Sequence, residues 1–233
     1  MINENKKAVK TVSLIMFATL FSKVLGLLRQ ILMTAIYGGS MENTAFTVAL
    51  SIPLDFFDML FSAALLGVFI PAYNSFDFEN KESREEAEKF SSVFINAVLL
   101  ATGFLALLGM IFSKPIINFI APVDDPATFE LASNLLRILF PMITFTGAVY
   151  SLTGILQSKG EFLAPALVSA VSNLGVILYF LFLNQYFGVY GLSIAYLASW
   201  IIQLITLVVP LSRKKYKYKH RFILNFKNPA LIR

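Results

Sequence analysis

The chain has 233 residues, of which 57% are apolar and only 14% are charged, and its mean hydropathy is +0.72. A soluble domain averages about 25% charged residues and cannot hide so much apolar surface at this length, so a soluble globular enzyme and a disordered chain are both excluded. What remains is an all-α polytopic membrane protein; its net charge of +5 reads as the flanks of membrane segments rather than a nucleic-acid surface, and the absence of cysteine removes disulfides and thiolate metal sites.

Six long apolar segments follow one another, at Thr11–Tyr37, Ala45–Ala72, Ser91–Phe112, Thr128–Gln157, Leu163–Leu183 and Tyr190–Leu211. At 1.5 Å per residue each is long enough to cross a hydrocarbon core of about 30 Å. Alternating strands of the kind that build barrels are not seen, so the predicted spans are helices. Lys81–Lys89 is a mixed-charge run that predicts a solvated extension leading into the third span. Ile116–Pro122 is apolar but too short to span, and is expected to lie in the interface. Residues 212–233 form a basic tail that interleaves Lys and Arg with Tyr216 and Tyr218, expected beside anionic lipid heads.

Six crossings place the N-terminus, the 73–90 and 158–162 loops and the tail on one side. Fifteen of the 19 Lys and Arg residues fall there, against Lys114 alone on the other side. The side rich in bases is therefore expected to be cytoplasmic.

Ionisable groups inside spans are the informative residues, because each costs about 2.5–3.5 kcal/mol near mid-bilayer and must find a partner or a hydrated cavity. They are Lys23 and Arg29 in the first segment, Asp55 and Asp58 in the second and Arg137 in the fourth. Arg29 lies about 12 Å from the outer end and Asp55 about 15 Å; Lys23 lies about 21 Å and Asp58 about 20 Å. If the first two helices are antiparallel neighbours, these residues are level in pairs. Two readings stand: structural ion pairs that glue helices, or a cavity for a polar or anionic substrate. Three cations against two carboxylates leave one positive charge unmatched, which suits phosphate oxygens. The carboxylates also suit proton or sodium coupling.

Helix breakers stand beside these charges. Gly26 separates Lys23 from Arg29, Pro53 precedes Asp55 and Pro141 follows Arg137, so each is a candidate hinge. Lys23 and Arg29 are six residues apart, about 120° around an ideal helix, so presenting both on one face calls for a bend near Gly26. Asn173 and Gln203 are further mid-span polar groups that suit a cavity or an interhelical hydrogen bond. Gly147, Ser151 and Gly154 form a small-residue stripe that predicts close helix packing. No nucleophile–base pair, phosphate-cradling loop or metal-ligand spacing is present, and the single histidine, His220, sits in the basic tail. Catalysis, metals and cofactors are thus not expected.

The motif Ser22-Lys23-Val24-Leu25-Gly26-Leu27-Leu28-Arg29 resembles the first helix of the MviN/MurJ family of lipid II flippases, in the multidrug/oligosaccharidyl-lipid/polysaccharide exporter superfamily. Ile52-Pro53 and Val68-Phe69-Ile70-Pro71 resemble its second helix, Leu135 to Pro141 its fourth, and Gly154 to Gly160 with Phe162 to Ala166 and Asn173 its fifth. Gly188-Val189-Tyr190-Gly191-Leu192 opens a sixth helix of the same kind. The resemblance implies a transporter of peptidoglycan biosynthesis in the bacterial cytoplasmic membrane, carrying an undecaprenyl-diphosphate-linked precursor between leaflets by alternating access. It implies that Lys23 and Arg29 line a cationic cavity for the diphosphate, with lysine at 23 in place of the usual arginine. Thr44 and Phe57 stand where many members carry an acidic and a basic residue.

The resemblance further implies a six-helix N-terminal lobe that works with a second lobe or a second copy, the tail leading toward a seventh helix. An isolated lobe is not expected to transport. Export of another lipid-linked glycan or of a drug, and a truncated protein that does not transport, are the alternatives. Membrane lipids are the other expected partners, and nucleic acid is not one.

Overall fold

The computed structural model describes residues 2–57, 59 and 65–213, with side chains at 9, 11–57, 59 and 67–212. Asp58 and residues 214–233 of the basic tail lie outside the described residues.

The described residues are mainly helical, and none of them forms a strand. Its elements are α1 (Ile2–Tyr37), α2 (Met41–Phe57), a π-helical turn (Leu65–Phe69), α3 (Ile70–Asn74), α4 (Lys81–Ile111), α5 (Ser113–Ile120), α6 (Pro126–Leu139), α7 (Met142–Ser158), α8 (Leu163–Phe182) and α9 (Asn184–Arg213). Four helices are long and apolar enough to cross a membrane: α1 from Thr11, α4, α8 and α9. The pair α6 and α7, bent by 42°, supplies a fifth crossing if it is one span. The predicted second span is divided among α2, the π-helical turn and α3, and none of these alone has the length to cross. Pro53 lies four residues before the end of α2 and Pro71 at the start of α3, where a missing amide donor limits helical continuity.

The helix ends follow from local chemistry. The mixed-charge run does lead the third span, as the first turns of α4, and Asn80 caps it by accepting from the Glu82 amide at 2.9 Å. Asp125 caps α6 by accepting from the Thr128 amide and hydroxyl, which hold its carboxyl below the ordinary value. The short apolar stretch forms most of α5, with Ile117 fully buried and Phe119 exposed.

The helices do not pack in sequence order. α1 lies mainly on α8, α8 on α9, α9 on α7 and α7 on α4, while α2 lies on α6 and barely meets α1. Ser22 pairs with Ala166 and Tyr37 with Asn184, so residue numbers rise together and α1 runs parallel to α8. α8 and α9 form an antiparallel hairpin. Its turn is set by Gly188 at φ 53°, in the left-handed region, whose carbonyl accepts from the Tyr179 hydroxyl at 2.6 Å.

The small-residue stripe on α7 packs as predicted. A Cβ on Gly147 would lie 2.7 Å from Val98 on α4, and one on Gly154 would lie 3.3 Å from Ile70 on α3. Several buried hydroxyls are satisfied within their own helices: Thr102 bonds to Val98 O, Thr146 to Met142 O and Ser151 to Gly147 O. That pattern lets polar side chains sit inside an apolar bundle.

Candidate functional site: a cationic groove between α1, α8 and α9

The parallel pairing of α1 with α8 builds the site. Ser22 Oγ lies 2.8 Å from Ala18 O and 2.9 Å from Ala166 O, which ties the two helices. Asn173 Nδ2 on α8 donates to Ser22 O at 3.1 Å. Gly26 makes room for that amide, since a Cβ there would lie 3.2 Å from Asn173 Nδ2. α1 is helical throughout Ile2–Tyr37, so Gly26 marks a close approach rather than a visible break.

Between these helices and α9 lies a groove of about 520 Å³. α1 supplies Lys23 and Arg29, α8 supplies Ser169, Ser172 and Asn173, and α9 supplies Trp200 and Gln203. Among the described residues the lining holds two cations and no carboxylate. Lys23 is exposed, and its four-carbon stem helps it reach the same space as Arg29. Arg29 lies over the Tyr196 ring, 5.4 Å from its centroid, a contact that orients the guanidinium. Its Nε is buried with no hydrogen-bond acceptor among the described residues. A cation with one buried, unmet donor, beside a second cation, is suited to a ligand that brings several anionic oxygens.

The other sequence-predicted residues lie apart from the groove. Asp55 is exposed on α2 and, among the described residues, forms no ion pair with Arg29. The reason is packing: α1 takes α8, not α2, as its main neighbour. Thr44, Thr47 and Ser51 recur along α2 at the spacing that places them on the Asp55 face, which makes a polar stripe. Arg137, in the last turn of α6, donates from Nε to Ser113 Oγ at 2.9 Å. With the Lys114–Glu130 ion pair it fastens α5 to α6. Pro53 is buried within α2, and Pro141 stands at the α6–α7 bend.

Sequence reasoning singled out Lys23, Gly26, Arg29, Asn173 and Gln203 but missed Trp200, Ser169 and Ser172. A signal was present: Tyr196, Ser199, Trp200 and Gln203 share one face of α9, as Ser169, Ser172 and Asn173 share one face of α8.

The family model described as "Lipid II flippase MurJ" matches residues 33–231. The chain belongs to the lipid II flippase MurJ family. It is 31% identical over 219 residues to "Probable lipid II flippase MurJ" of Bdellovibrio bacteriovorus, covering 91% of this chain and 41% of that protein. It is 30% identical over 201 residues to "Lipid II flippase MurJ" of Thermosipho africanus, covering 86% of this chain and 41% of that one. Among solved structures it matches "Lipid II flippase MurJ, inward closed conformation" with a TM-score of 0.74 and 30% identity, over 90% of this chain and 43% of that chain. The chain thus spans about two fifths of the length of these MurJ relatives. Family and fold together make it a multi-pass bacterial inner-membrane protein.

Proposed function

We propose that this chain forms the substrate-binding N-terminal part of a lipid II flippase, holding the diphosphate of the undecaprenyl-linked precursor while it crosses the bacterial cytoplasmic membrane. One observation carries the reading: Lys23 and Arg29 line a groove without a carboxylate, and Arg29 Nε is buried there without an acceptor. Lysine supplies a point charge and arginine a planar donor set, which together match the oxygens of a diphosphate. The same charge repels a cationic drug and so disfavours that export reading. The binding role is assigned to Lys23 and Arg29, and Arg137 is left to the α5–α6 junction.

In this reading alternating access needs a second lobe or a second copy facing the groove. The bend at Pro141 and the proline within α2, Pro53, are the hinges that would let the bundle move against it. Asp55, exposed on α2, would face that partner across a hydrated path as a coupling group. The excess of Lys and Arg in the flanks supports a cytoplasmic N-terminus and tail.

The test is survival of bacteria depleted of their own lipid II flippase. They would carry a hybrid in which this chain replaces the matched part of the Thermosipho africanus relative. The hybrid is expected to sustain growth, and Lys23→Ala with Arg29→Ala to abolish it at equal membrane abundance. Growth unaffected by the double substitution would overturn the assignment.

A further inference from the structure

Arg29 is half-buried, whereas Lys23 is exposed, and among the described residues Arg29 forms no ion pair. Its guanidinium lies instead over the Tyr196 ring, 5.4 Å from the centroid. The manner of holding matters. A carboxylate grips a guanidinium at its edge, through the N–H donors, and offsets its charge. An aromatic ring attracts the flat face and takes neither a donor nor the charge. Arg29 Nε is accordingly buried with no acceptor among the described residues, and no ion pair claims the guanidinium edge.

Tyr196 is itself held at both ring and backbone, and is buried on α9. From α2, the buried Phe46 meets its ring edge to face, with centroids 5.1 Å apart and planes at 67°. From α8, Ser172 Oγ donates to Ser199 Oγ at 3.0 Å, and Ser199 Oγ donates to Tyr196 O at 2.7 Å. Contacts from α1, α2 and α8 thus converge on this one residue of α9. Through it α2 reaches the groove, although α2 barely meets α1 directly.

We infer that Tyr196 is a positioning residue for Arg29, clamping the guanidinium by its face so that the donor edge stays free for the ligand, and that Phe46 makes the affinity of the groove depend on the seat of α2. The inference rests on the diphosphate reading of Lys23 and Arg29. Tyr196 does not itself line the groove, so it acts through Arg29 and not on the ligand.

The chain in lipid nanodiscs would be titrated with a radiolabelled isoprenyl diphosphate. Tyr196→Phe is expected to bind within about twofold of wild type, because the ring remains. Mono-, di- and trifluorophenylalanine in place of Tyr196 withdraw electron density from the ring face at nearly constant shape. Affinity is expected to fall at each step, by about tenfold in all, the size of a partly desolvated cation–π contact. A ring that served only to fill space would not respond to its own charge distribution. Phe46→Leu is expected to weaken binding about threefold beside Tyr196→Phe, and by less than about 1.5-fold beside the trifluorinated ring, where little clamp is left to lose. Affinity that ignores fluorination, or rises with it, overturns the positioning role. An equal loss from Phe46→Leu in both chains, or none in either, overturns the link to α2. Wild type that does not bind the diphosphate overturns the reading of Lys23 and Arg29, and this inference with it.

Discussion

Gly26 and Gly147 look alike in sequence, each a glycine within a predicted span, but their neighbours set different tasks. At Gly147 a new Cβ would meet Val98 Cγ1 at 2.7 Å, on a β-branched side chain with one favoured rotamer in a helix. At Gly26 it would meet the amide of Asn173 at 3.2 Å, on a side chain able to turn aside. Both substitutions to Ala gain helix propensity, about 1 kcal/mol. Overpacking at Gly147 costs typically 1–3 kcal/mol, which exceeds that gain. Gly147→Ala should therefore lower the unfolding midpoint in detergent, and Val98→Ala should restore part of the stability. Gly26→Ala should leave stability within about 1 kcal/mol, because the strained Asn173–Ser22 hydrogen bond is worth about as much as the propensity gained. A larger destabilisation at Gly26 than at Gly147 would refute this ranking.

Among the elements, the helices themselves were the legible part of the sequence. Apolar runs located α1, α4, α8 and α9, and the glycine–serine stripe identified the packing face of α7. Neighbours were not legible. Depth counting set Arg29 level with Asp55 on the assumption that consecutive helices touch, whereas α1 packs along α8, whose contacts lie some 140 residues away. Local periodicity carries no information on such a pairing. The same limit explains why both cations were found and the α9 wall was only half found: Gln203 announced itself as a polar group in a span, while Trp200 passed as an apolar residue. The second span is less legible for another reason, since composition marks its apolarity but not which parts of Ala45–Ala72 take the forms of α2, the π-helical turn and α3. The α1–α8 pairing can be checked directly, because the chain has no native cysteine. Ser22→Cys with Ala166→Cys should be bridged by a short bis-maleimide in membranes, whereas Arg29→Cys with Asp55→Cys should not. The reverse pattern would show that α1 packs against α2.

For the whole molecule, the low charged fraction and the basic excess have separate consequences. The first makes each intramembrane charge expensive and hence informative; the second arranges the loops. Their combination leaves one groove in which two cations face no carboxylate, on a chain that spans about two fifths of its relatives' length. Capture of a diphosphate at that groove is the central claim, and the molecule carries its own reporter. Trp200, the sole tryptophan, lines the groove with Lys23 and Arg29. Its fluorescence in nanodiscs should change saturably on titration with isoprenyl diphosphate. The same lipid as a monophosphate should require at least about tenfold more for half-saturation, because it makes one charge-assisted hydrogen bond fewer. Lys23→Ala with Arg29→Ala should abolish the diphosphate response. A saturable response of unchanged midpoint in that double variant would contradict the account.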